Sequence, residues 1–92
     1  MRSLSEILQD YQDTIPEFEG IQLVSVNQKG RMGDTPLHVA IWRRSTEDMI
    51  VLLVNGADPN IPGEKQIRPL EIAVEYVKNK EIAALLIRHG AV

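Results

Sequence analysis

Residue types that could carry chemistry are sparse in this chain. Two histidines, His38 and His89, stand far apart, and cysteine is absent. A thiol nucleophile, a disulfide and a cysteine metal site are thereby excluded. Neither a Gly-x-Ser-x-Gly elbow nor a phosphate-cradling Gly-x-Gly-x-x-Gly or Gly-Lys-Ser run occurs. Gly30-Arg31-Met32-Gly33 is turn chemistry, not a nucleotide loop. Glu17 and Glu19 lie in an irregular segment without a partner base. An active site needs a nucleophile, an acid–base pair or a metal cluster, and the sequence supplies none, so no enzyme activity, cofactor or metal is expected. His89, at the end of a predicted helix, reads as a favourable charge on the helix dipole.

The most organised stretch is Gly33-Asp34-Thr35-Pro36-Leu37-His38-Val39-Ala40. Gly33 can take a positive φ in a tight turn. Thr35 is a good N-cap, and Pro36 fits the first helical position, where a missing N–H costs nothing. Leu37, Ala40 and Ile41 then form one apolar helical face. The pattern returns: Pro69-Leu70-Glu71-Ile72-Ala73 repeats Pro36-Leu37-His38-Val39-Ala40 at an offset of 33 residues, and Pro59-Asn60 repeats Val26-Asn27 at the same offset. Leu52 to Ala57, with Gly56, recurs 34 residues on as Leu86 to Ala91, with Gly90. The second copy therefore carries one extra residue between its helices, placed in Val77 to Lys80.

A 33-residue period carrying Thr-Pro-Leu-His-x-Ala is the signature of one repeat architecture, and residues 26–91 resemble ankyrin repeats. The resemblance implies an all-α fold, a solenoid of helix–turn–helix repeats with projecting turns. The second copy departs from the pattern at three positions: Arg68 stands for the capping Thr, Glu71 for the His and Gln66 for the turn Gly. Its turn and cap should be weaker, loss of a Thr cap costing about 1 kcal/mol. The resemblance also makes His38 structural, hydrogen-bonded to backbone of the neighbouring turn.

With 92 residues the chain is one domain, divided as an N-terminal cap (1–25), a first repeat (26–58) and a second repeat with the C-terminal end (59–92). Ser3-Leu4-Ser5-Glu6 is a capping box, and Leu4, Ile7, Leu8 and Tyr11 make a helical stripe, so a capping helix is predicted from Leu4 to Gln12. Ile15-Pro16 ends it. Residues 13–25 lack clean periodicity; a short strand is expected at 21–26, completing a core that two repeats alone leave short. The first inner helix is predicted from Thr35 to Arg43, and the outer helix from a Ser45 cap, with Asp48 three residues on, to Val54 or Asn55. The second inner helix is predicted from Pro69 to Val77 and the last from an Asn79 cap to Arg88. The outer side of that last helix (Ala83, Ala84, Ile87) is not polar, which leaves a monomer or a weak homodimer as expectations. Val92 is either the native end or the edge of a longer array.

Net charge is −3 at 43% apolar residues, a globular composition. The acidic balance and the short basic cluster (Lys29, Arg31, Arg43, Arg44) exclude nucleic acid as the expected partner. No apolar run is long enough to span a membrane, and Met1-Arg2-Ser3-Leu4 does not open a signal peptide, so a soluble cytoplasmic protein is expected.

Stacked repeats present a concave side of turns and inner helices, where partners of ankyrin proteins dock. Carried over, that surface comprises Arg31, Met32 and Asp34 on the first turn and Trp42 and Arg43 on the first inner helix. The second repeat adds Glu64, Lys65 and Ile67 from its turn, and Glu75 and Tyr76 from its helix. The single Trp, an Arg and a Tyr fall among these positions, the residue types that dominate interface hot spots. The expected function is a non-catalytic module binding another protein. The compact two-repeat form also resembles small bacterial ankyrin proteins, some of which are immunity proteins that neutralise a cognate toxin; a capped terminal piece of a longer structural array is the remaining alternative.

Overall fold

The computed structural model describes residues 1–92. Five α-helices and short 3-10 and π turns account for its regular structure: α1 (Leu4–Thr14), α2 (Pro36–Trp42), α3 (Thr46–Val54), α4 (Pro69–Glu71) and α5 (Lys80–Arg88). Ser3 accepts from the Glu6 N–H while the Glu6 carboxylate accepts from the Ser3 N–H, so α1 opens on the predicted capping box. It runs two residues beyond Gln12 and ends at Ile15, whose extended backbone precedes Pro16. Pro16–Phe18 forms a 3-10 turn that drives Phe18 into the core.

The expected strand at 21–26 does not form. The segment is irregular, and its polar backbone is satisfied by side chains: Gln12 accepts from the Leu23 N–H at 2.7 Å and Gln28 from the Val24 N–H at 3.0 Å. A single segment with no neighbouring strand has no ladder to join.

The two repeats are built alike. In the first turn the Gly30 N–H donates to the Asp34 carbonyl and Gly33 N–H to the Gly30 carbonyl; in the second, Gly63 donates to Ile67 and Gln66 to Gly63, all 33 residues on. At the repeat exits, Asn27 bridges Gly56 and Asp58, and Asn60 bridges Gly90 and Val92. α2 pairs with α3 and α4 with α5, and α1 lies against α3. One core of 20 buried apolar residues runs from Ile7, Tyr11 and Phe18 through Leu37, Ile41 and Leu52 to Ile72, Ile82 and Leu86.

The extra residue of the second repeat is inside the inner helix, not in the 77–80 connection. α4 runs directly into a π-helical turn at Ile72–Tyr76. Ser45 donates to Ala40 in the first repeat, whereas the equivalent Asn79 donates to Ala73, one residue farther back. A π turn absorbs a one-residue insertion without breaking the helix. Asn79 caps α5 as predicted. Ser45 accepts weakly from Asp48 N–H at 3.4 Å, but the Asp48 carboxylate turns away to α1 and does not close a capping box.

Gln66 occupies the place of Gly33 and shares its left-handed backbone, φ 64° against 105°. An L-residue there costs about 1–2 kcal/mol, and glycine returns about 0.5–1 kcal/mol of that as unfolded-state entropy. Gln66→Gly should therefore raise stability by roughly 0.5–1 kcal/mol. Urea unfolding checks it, and a loss of stability would show that the Gln66 side chain contributes more than its backbone costs.

Candidate functional site

The turns project from the helical body because each is bound to the element before it. The Glu17 carboxylate accepts from Met32 N–H (2.7 Å) and Asp34 N–H (3.1 Å), and the Glu17 carbonyl accepts from Arg31 N–H. One step on, the Asp34 carboxylate accepts from Glu64 N–H at 2.8 Å. Glu17 thus has a structural partner that the sequence did not disclose. The glycines at these crossings have no room for a side chain. A Cβ on Gly30 would meet Glu17, and one on Gly63 would meet Asp34 and the His38 ring.

His38 is buried at the base of the second turn. Its Nδ1 accepts from the Thr35 N–H at 3.0 Å and lies 2.8 Å from the Thr35 hydroxyl. Nδ1 as acceptor puts the proton on Nε2. The predicted bond to the neighbouring turn is not made with full geometry: Nε2 has no hydrogen-bond partner, although the backbone of Ile61 and Ile67 is near enough to favour the protonated ring. Burial pushes the imidazole below its ordinary value of 6.5, with the nearby Asp34 charge acting the other way.

Between the turns and the inner helices lies a cleft of about 210 Å³, lined by Asp34, Trp42, Glu64, Lys65, Ile67, Tyr76 and the buried Ile72. Six of these are residues that the sequence assigned to the concave surface. Trp42 and Tyr76 meet edge to face, their ring centroids 5.4 Å apart and planes at 68°, an arrangement aromatic pairs favour. Both stay open to solvent, at 40% and 50% exposure. The π turn places Tyr76 across from Trp42 at the end of its helix.

The remaining assigned residues lie elsewhere. Arg31 and Met32 are exposed on the first turn, Arg31 reaching only a loose 3.9 Å pair with Glu19. Glu75 borders a different depression, beside Arg68, Leu70 and Val74. The Arg43 guanidinium sits over the Tyr11 ring, 5.5 Å from its centroid, a cation–π contact that binds α2 to the cap. Tyr11 donates to buried Asp48 at 2.7 Å, and Arg2 bridges Asp48 and Asp10, each at 2.8 Å. Burial, reinforced by that bond to Asp48, raises the Tyr11 phenol well above its usual value. The hydrogen bond from Arg2 lowers the Asp10 carboxyl. No three His, Asp or Glu side chains converge as a metal site would require.

The family described as ankyrin repeats (many copies) matches residues 21–73, more than half of the chain. Ankyrin repeat and SOCS box protein 5 of Homo sapiens is 38% identical over 64 residues, covering 70% of this chain and 18% of that protein. Transient receptor potential cation channel subfamily A member 1 of Homo sapiens is 37% identical over 60 residues, 65% of this chain and 5% of the channel. Oxysterol-binding protein-related protein 1 of Homo sapiens is 40% identical over 48 residues, 52% of this chain and 5% of that protein. The chain therefore spans less than a fifth of the length of these relatives. It belongs to the ankyrin-repeat family, whose repeats are non-catalytic modules of protein–protein interaction. No helix is long and apolar enough to cross a membrane.

The buried imidazole gives the fold a pH dependence of known sign. Unfolded, His38 takes a proton near 6.5; folded, it takes one only at lower pH. Stability is then level above about pH 6.5 and falls as the pH drops below it. Urea unfolding of wild type and His38→Gln between pH 7.5 and pH 5 checks this: wild type should lose stability on acidification and the variant should lose less. Equal slopes would remove His38 as the cause.

Proposed function

We propose that this chain binds another protein through the concave cleft, with Trp42 and Tyr76 as apolar anchors and Asp34, Glu64 and Lys65 as its polar rim. The observation that carries this reading is the half-exposed aromatic pair that shares a cleft with two turns, each hydrogen-bonded to the element before it. Aromatic rings kept open to water at the centre of a concave surface are the usual energetic focus of an interface. The volume argues in the same direction. At about 210 Å³ the cleft falls below the roughly 300–1,000 Å³ of small-molecule pockets and suits side chains presented by a protein. Cytoplasmic residence fits the absence of cysteine.

The test is affinity capture from the native lysate with wild type, Trp42→Ala/Tyr76→Ala and Leu53→Ala side by side, followed by affinity measurement on the recovered protein. The aromatic variant should fold and lose at least about 1.4 kcal/mol of binding, a tenfold effect. Leu53, buried in α3, should instead cost about 2–5 kcal/mol of stability through a cavity. A partner recovered equally by wild type and the aromatic variant would move the interface off the cleft. A toxin as the recovered partner would make the chain an immunity protein.

A further inference from the structure

A second surface, on the far side of the second repeat, is built like an interior face. Leu37, Ile41 and Leu53 are buried in the first repeat, where the second repeat packs on α2. The residues 33 or 34 positions on are Leu70, Val74 and Ile87. Leu70 is only half-buried, and Val74 and Ile87 are 51% and 58% exposed. Val74 stands at the centre, shared by two adjoining depressions. One is bordered by Glu71 and Glu75, with Arg68 at its edge; the other is bordered by Lys78 and Lys80. None of these five charged side chains has an ion-pair partner in the chain, whose salt bridges join Arg2 to Asp10 and Asp48 and Arg31 to Glu19.

An apolar centre flanked by acid on one side and base on the other is complementary to itself. A two-fold axis through such a patch brings the acidic side of one copy onto the basic side of the other, as a symmetric dimer interface requires. We propose that the Val74 face pairs with the same face of a second copy of this chain, Lys78 and Lys80 of each copy meeting Glu71 and Glu75 of the other. The cleft lined by Trp42 and Tyr76 lies outside this face and stays open in the dimer, so this inference is independent of the docking proposal.

Sedimentation equilibrium of the 92-residue chain, from low to high micromolar concentration, tests it. Wild type should show a reversible monomer–dimer equilibrium, and Val74→Asp should raise the dissociation constant about tenfold or more. Charge reversal discriminates further. Glu71→Lys/Glu75→Lys and Lys78→Glu/Lys80→Glu should each be monomeric alone and form a one-to-one dimer when mixed, an association that Val74→Asp in either chain abolishes. Circular dichroism melts confirm that each variant is folded. A wild type that stays monomeric throughout, or a dimer indifferent to Val74→Asp, would overturn the proposal.

Discussion

The structure depends on how closely each projecting turn approaches the element before it. Backbone N–H groups at a turn need acceptors wherever a neighbouring element shuts water out. Here a carboxylate from the preceding element takes them up, Glu17 for the first turn and Asp34 for the second. Such charge-assisted bonds are the stronger kind, but they form only if the chains nearly touch. Gly30 and Gly63 make that contact sterically feasible, since a side chain on either would strike the carboxylate itself. The cleft follows from this constraint. Asp34 helps to line it while holding Glu64, another lining residue, beside it.

The N-terminal segment packs against the outer helix of the first repeat. α1 covers α3, the Pro16–Phe18 turn takes the place of a preceding projecting turn, and Glu17 does there what Asp34 does one step later. Its attachment is partly polar: Asp48 receives both the Tyr11 hydroxyl and Arg2, and Arg43 closes over the Tyr11 ring. A buried carboxylate is costly unless fully paired, and Asp48 has two donors to satisfy it. This arrangement uses Arg43 for the fold, leaving Trp42 as the residue of that pair which faces the cleft.

Much of the architecture was legible because repetition multiplies weak local signals. Thr35-Pro36, Asn79 and the Ser3–Glu6 box mark helix starts that the structure reproduces, and the 33-residue offset aligned two turns whose hydrogen bonds coincide. Other features were not legible, for specific physical reasons. An inserted residue raises the offset from 33 to 34 equally wherever it falls between the two matching blocks, so nothing in the sequence placed it in a π turn rather than a loop. Residues 21–26 are apolar enough to suggest a strand, but strands exist only in pairs. Glu17 carried no local signal, because its partners lie 15 and 17 residues away. Of the residues assigned to the concave surface, Trp42 and Tyr76 line the cleft, whereas Arg43 and Glu75, each one residue to the side, lie over the Tyr11 ring and in a separate depression.

The cleft is a docking surface only if its two rims are held in place before a partner arrives, since ordering flexible loops on binding would consume the affinity that an aromatic pair supplies. Hydrogen exchange at the amides of Met32, Asp34 and Glu64 tests this most directly, because these donors are the ones that the two carboxylates hold. The account predicts slow exchange at all three, with opening free energies approaching that of global unfolding, and loss of protection at Glu64 alone in Asp34→Ala. Fast exchange at these amides in the wild-type protein, as in an ordinary surface loop, would contradict it.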